Sequence, residues 1–187
     1  MDRSKVPTVL SIAGSDSSGG AGIQADIKTI TAHRLYAETA ITAITAQNTL
    51  GVTAVQDISP DIVAAQIDAV FDDIRPSAVK IGMVSSVEII DVIADRLSAW
   101  NATNVVVDPV MVATSGARLI AEDAAEALTR RLFPLATVIT PNIPEAMALL
   151  DYEVDSERTQ QNAAMLLTRR FGCASLVKGG HFVNEAN

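Results

Sequence analysis

Val9-Leu10-Ser11-Ile12-Ala13-Gly14-Ser15-Asp16-Ser17-Ser18-Gly19-Gly20-Ala21-Gly22-Ile23-Gln24-Ala25-Asp26 is the stretch on which the architecture turns. It opens as an apolar run, passes through a loop of serine, aspartate and glycine, and settles into helical spacing. The clustered Gly19, Gly20 and Gly22 let backbone N–H groups come close to a bound molecule where the helix begins. A strand that feeds such a loop and then a helix is the opening unit of a parallel α/β sheet.

The unit recurs about six times along the chain. Apolar runs at 9–13, 37–45, 78–81, 104–107, 137–140 and 174–177 are expected as strands buried on two faces, with a further short strand at 53–58. Helical spacing follows at 21–32, 60–71, 85–100, 121–133, 143–150 and 156–171, with Ser59 before Pro60 and Ser156 as start signals. The fold class is therefore α/β with a mostly parallel sheet. After the last run only Lys178 to Asn187 remain, so another βα unit is expected beyond them.

With 187 residues, 49% of them hydrophobic, the chain can bury one substantial core, and 1–187 is expected to be one domain. A net charge of −8 repels a phosphate backbone and argues against nucleic acid as the main partner. The single cysteine, Cys173, rules out an intrachain disulfide framework and suits a reducing compartment. Apolar runs of roughly 5 to 8 residues are too short to cross a bilayer, so a soluble, cytoplasmic protein is expected.

In a doubly wound sheet, ligands bind beyond the carboxyl ends of the strands, so the residues after each apolar run carry the chemistry. The glycine loop leads to Asp26 on the first turns of its helix. Thr45-Ala46-Gln47-Asn48-Thr49 offers amides suited to the hydrogen-bonding edge of a heterocycle. Asp108-Pro109-Val110-Met111 places a carboxylate where magnesium, which favours one or two such groups with phosphate oxygens and water, would be held. Asn142 and Glu145 lie three apart at a helix start, an arrangement that a capping box explains without any ligand. Lys178, flanked by Gly179, Gly180 and His181, supplies a cation for a phosphate. Together these point to a magnesium-phosphate site.

Three other chemistries fail on the residues. Gly20, Gly22 and Ala25 match a loose dinucleotide fingerprint, yet Gln47 and Asn48 stand where that fingerprint needs an acid. The only Lys-Thr pair, Lys28-Thr29, lacks the glycines of a P-loop. No G-x-S-x-G elbow exists, and His33 and His181 have no nucleophile at motif spacing.

Ile12-Ala13-Gly14-Ser15-Asp16 with Ser18-Gly19-Gly20-Ala21-Gly22-Ile23-Gln24-Ala25-Asp26 resembles the hydroxymethylpyrimidine and phosphomethylpyrimidine kinases of thiamine biosynthesis, within the ribokinase-like superfamily. The likeness continues through Thr45 to Thr49, Lys80-Ile81-Gly82-Met83, Val107 to Met111, Thr140 to Ala146 and Val177 to His181. It implies a ribokinase-like fold with helices on both faces of the sheet. It also implies ATP-dependent, Mg2+-supported phosphorylation of 4-amino-5-hydroxymethyl-2-methylpyrimidine and of its monophosphate, by a homodimer. By the same resemblance Gly14, Asp26, Gln47, Met83 and Val110 line the pyrimidine pocket, and Asp26 and Gln47 bond the ring substituents. Asn142 and Lys178 serve the nucleotide phosphates, and Asp108 and Glu145 stand at the metal. Family members also carry a Gly-Thr-Gly-Cys anion-hole segment beside the catalytic residue, which this sequence lacks, so no catalytic residue is assigned. Cys173 enters a strand and is expected to be a small buried hydrophobe. The rival readings are a pyridoxal-type vitamin kinase and a pyrimidine-binding module without catalysis.

Overall fold

Valine, isoleucine and alanine fill the strands because the sheet is covered on both faces, where β-branched side chains pack at little rotamer cost. The computed structural model describes residues 6–111 and 120–179. In it β1 (Thr8–Ala13), β2 (Tyr36–Ile41), β5 (Ala78–Ile81), β6 (Val105–Val107), β7 (Val138–Ile139) and β8 (Ala174–Ser175) form a six-stranded sheet in the order β2-β1-β5-β6-β7-β8. Every neighbouring pair in it is parallel. A separate antiparallel hairpin is made by β3 (Ala43–Asn48) and β4 (Gly51–Asp57).

The strand order fixes where a ligand can enter. From β1 the chain runs through α1 (Gly22–Ala32) to β2 on one side, then returns through α2 (Pro60–Asp73) to β5 on the other. Right-handed crossovers in opposite directions put α1 on one face and α2 with α3 (Val87–Ala99) on the other. At the carboxyl ends of β1 and β5 the connections therefore diverge, leaving a crevice.

Helix α3 shows how the core is closed. Ser86 accepts a hydrogen bond from the Ile89 N–H at its start, and Ile89, Ile90, Ile93, Ala94 and Leu97 recur at helical spacing on the buried side. Phe71 at the end of α2 stacks on Trp100, with ring centroids 5.7 Å apart, and the Trp100 indole N–H donates to Asp68 at 2.7 Å. The remaining helices are α4 (Glu122–Ala127), α5 (Ile143–Leu150) and α6 (Glu157–Phe171). Among the described residues no helix is long and apolar enough to cross a membrane.

Two expected elements are broken. The run expected as one strand over 37–45 splits at Thr42, which is fully buried and is gripped from several sides. Its N–H donates to the Ala13 carbonyl, its hydroxyl donates to the Met83 carbonyl, and its own carbonyl accepts from Ile58. Residues beyond it leave the main sheet for the hairpin. The helix expected over 121–133 loosens into a π turn at Leu128–Leu132 and a 3-10 turn at Phe133–Leu135. Pro134 lacks the N–H that a continued α-helix would use.

Glu38 is a charge-bearing residue inside the sheet. It is 7% exposed and its Oε2 is buried without a partner among the described residues. Burial pushes its carboxyl from 4.5 up to about 7, the Thr8 hydroxyl opposes that rise, and the Asp73 charge adds to it. The folded chain thus holds this proton where the unfolded chain has released it. Its contribution to stability is complete below the ordinary glutamate range and is lost as the pH rises through about 7. Glu38→Gln should remove that loss, so urea midpoints should favour the variant by a margin that widens from about pH 5 to about pH 8.

Candidate active site

One carboxylate organises the glycine loop. Asp16, only 2% exposed, accepts from the Ser18 N–H and hydroxyl at 2.8 and 2.7 Å through Oδ1. Through Oδ2 it accepts from the N–H groups of Gly20 and Ala21 at 3.0 and 2.8 Å. The Ser18 hydroxyl, against the opposing pull of burial and with the help of the backbone N–H groups, holds this carboxyl below its usual range. The loop then passes close over itself: Gly22 has φ +55, and a Cβ there would lie 2.4 Å from the Gly14 carbonyl oxygen.

The hairpin is stitched to this loop. Ser15 N–H donates to the Ala43 carbonyl, and the Thr45 hydroxyl donates to the Ser15 carbonyl at 2.7 Å. Ser17 both donates to the Gln47 carbonyl at 2.6 Å and accepts from its N–H at 2.8 Å. The pairing of β3 with β4 slips between Ala46 and Gln47, at the residue that faces the crevice. Thr45 to Asn48 are thus part of a strand of a second sheet, where a loop after the main sheet's second strand was expected.

Between loop, hairpin and sheet edge lies a cavity of about 580 Å³. Gly14, Asp26, Gln47, Met83, Val110 and Asp108 all line it. Lys178 stands beside it, with its Nζ donating to Asp108 Oδ1 at 2.6 Å. Asn142 pairs with Lys178 through an isolated parallel bridge. Gly180 and His181 lie outside the described residues.

Glu145, which the family resemblance puts near the metal, is set back from the cavity. It is 1% exposed and absent from the cavity lining. Its Oε1 accepts from the Met111 N–H at 2.9 Å and its Oε2 from the Asn142 N–H at 2.8 Å, while Asn142 Oδ1 accepts from the Glu145 N–H. This is the capping box of α5, extended to the loop after β6. That loop needs the hold, because Val110 has φ +44, a conformation costly for a β-branched residue. Glu145 is thus a strut behind Val110, and Asp108 is the carboxylate on that wall.

Sequence reasoning missed Lys80 and Ser11 as individual residues. Lys80 lines the cavity and pairs with Asp26 Oδ2 at 2.8 Å, and the Ser11 hydroxyl donates to the same oxygen at 2.5 Å. The available signal was a polar residue inside each of two otherwise apolar strands, Thr8–Ala13 and Ala78–Ile81. Asp16 stands in the glycine-loop motif, and its four accepted bonds make it the keystone of that loop.

The family profile described as Phosphomethylpyrimidine kinase matches residues 16–187. The chain belongs to that family. It is 55% identical over 179 residues to the hydroxymethylpyrimidine/phosphomethylpyrimidine kinase of Rhizobium meliloti strain 1021, covering 94% of this chain and 66% of that protein. The chain thus spans about two thirds of the length of such curated relatives. The crystal structure of phosphomethylpyrimidine kinase from Clostridium difficile 630 superposes with a TM-score of 0.89 at 49% identity, over 96% of this chain and 78% of that one. An ADP complex of Bacillus subtilis pyridoxal kinase gives 0.84 at 38% identity, over 95% and 67% of the two chains. The α/β, ribokinase-like fold expected from the motif series is the fold observed, with helices on both faces of a mostly parallel sheet.

The tight crossing of the phosphomethylpyrimidine-kinase glycine loop is testable by comparing two glycines with positive φ. Gly172, at φ +74, has open space where a Cβ would sit, so Gly172→Ala should cost only the backbone strain of about 1 kcal/mol. Gly22→Ala adds a clash with the Gly14 carbonyl and should cost at least about 2 kcal/mol in urea denaturation.

Proposed function

We propose that the protein transfers the γ-phosphoryl group of ATP to the hydroxymethyl group of 4-amino-5-hydroxymethyl-2-methylpyrimidine, and then to the resulting monophosphate. It acts as a single ribokinase-like kinase domain of a cytoplasmic homodimer. The observation that carries this reading is one cavity with two unlike walls at the carboxyl edge of the sheet. One wall offers Asp26 and Gln47, the other Asp108 paired with Lys178.

The first wall suits a polar heterocycle. A carboxylate accepts from an amino group, an amide serves either edge, and Met83, with Val110 from the Asp108 side, supplies apolar contact for a flat ring. The second wall suits phosphate. Lys178 neutralises Asp108 in the absence of ligand and is placed to meet transferring oxygens.

Magnesium fits this donor set. Among the described residues no cluster of three His, Cys, Asp or Glu could cage a metal alone. Mg2+ ordinarily needs only one or two carboxylates with phosphate oxygens and water. Asp108 would hold it, and the ion would supply charge neutralisation for the phosphates of ATP. The chain's own contribution is positioning: Gln47 and Asp26 orient the ring, and Val110 lines the same cavity.

Pyridoxal kinases are the second reading, because the Bacillus subtilis pyridoxal kinase shares the fold. Calorimetric titration and coupled-assay kinetics on the pyrimidine and on pyridoxine-type alcohols distinguish the two. Asp26→Ala or Gln47→Ala should weaken pyrimidine binding about 10- to 100-fold. Asp108→Ala should leave that binding within about three-fold while slowing phosphoryl transfer at least about 100-fold. Tighter binding and faster turnover of the pyridoxine-type alcohol would replace the substrate assignment.

A further inference from the structure

We infer that Lys80 and Ser11 are positioning residues that lock the Asp26 carboxylate so that a single oxygen is left to read an N–H donor of the ligand. The inference rests on the pyrimidine reading above and adds to it how the ring's amino substituent is selected.

The geometry comes from strand register. Ser11 on β1 and Lys80 on β5 are direct partners in the parallel ladder, so their side chains leave the same face of the sheet side by side. Asp26 on α1 lies over that face, and its Oδ2 takes both donors, the Ser11 hydroxyl at 2.5 Å and the Lys80 ammonium at 2.8 Å. Among the described residues no bond is made by Oδ1. The Asp26 and Lys80 side chains are 19% and 28% exposed, so the pair is largely withdrawn from water while still bordering the cavity.

Space for the ammonium is built in. A Cβ at position 82 would lie 2.8 Å from Lys80 Nζ and 3.1 Å from the Ala13 Cβ, so a side chain there would have to displace the ammonium from this place. Ser11 is fully buried, and its hydroxyl has Asp26 as its partner. Two strands of the core thus hold one carboxylate of the cavity wall.

The chemical consequence is selectivity. A carboxylate whose one oxygen is saturated by a cation and a hydroxyl is an acceptor only, in one direction. It welcomes an exocyclic amino group and leaves an analogue that lacks that donor with nothing to offer the buried charge. Without Lys80 the carboxylate would turn more freely, and the discrimination would fall with the affinity.

Calorimetry on the chain with 4-amino-5-hydroxymethyl-2-methylpyrimidine and its 4-desamino analogue tests this without requiring turnover. Lys80→Met should weaken binding of the amino compound about 10- to 100-fold. It should also shrink the preference over the desamino analogue at least about five-fold, whereas Lys80→Arg should recover part of both. Because Lys80 acts through Asp26, the double variant Asp26→Ala/Lys80→Met should bind within about two-fold of Asp26→Ala alone. Should Lys80→Met fail to fold by circular dichroism, Ser11→Ala serves, with an expected loss of about three- to ten-fold. Losses that add in the double variant, or an unchanged preference in Lys80→Met and Ser11→Ala, overturn the lock while leaving the pyrimidine reading intact. A wild-type chain that binds neither compound overturns both.

Discussion

Parallel pairing of β1 with β5 is the constraint from which the rest follows. Those two strands lie side by side while their outgoing connections run in opposite directions, to β2 and to β6, which opens a crevice at their carboxyl ends. The glycine loop, the hairpin and the loop after β6 are all arranged around that opening. Asp16 then sets the shape of the first of these, because four donors converge on one buried carboxylate and leave the loop little freedom. The hairpin inherits its place from the loop through Ser15, Ser17 and Thr45.

Besides Asp16, which neutral donors hold, the charged groups at the cavity form two separate ion pairs, Lys80 with Asp26 and Lys178 with Asp108. Both lie at the carboxyl rim of an acidic protein, where an isolated cation would be drawn to any nearby carboxylate. The pairing gives each end of the cavity a defined polarity. Partial withdrawal from water makes hydrogen bonds there directional and strong relative to those of exposed pairs, which contribute little.

Much of this was legible in the sequence because the signals were local. Continuous apolar runs marked β1 and β5, and helical spacing marked the helices other than 121–133, with 143–150 and 78–81 matching the observed ends. The candidate residues Gly14, Met83, Asp108 and Val110 follow main-sheet strands and Asp26 sits in the first turns of α1, so they meet in one cavity, which Gln47 joins from the hairpin strand β3. What was not legible depended on distance in space. Thr42 is an ordinary residue in a β-prone run, and only its three long-range backbone and hydroxyl bonds show why the strand turns away there. Ser11 and Lys80 are 69 residues apart in effect only through register, which no single run reveals. For Glu145 the spacing to Asn142 offered a capping box, which the structure contains, but not the reach of its second oxygen to the Met111 N–H, a contact 34 residues away.

The strained backbone at Val110 has an implication for how this cavity can change over time. Its wall is shaped by a left-handed valine that Glu145 holds from behind through Met111, without touching the interior. Contour and lining are therefore inherited through different residues. A lineage could remodel the width of its pocket by substitutions in the hidden layer alone, with every side chain on the visible surface unaltered.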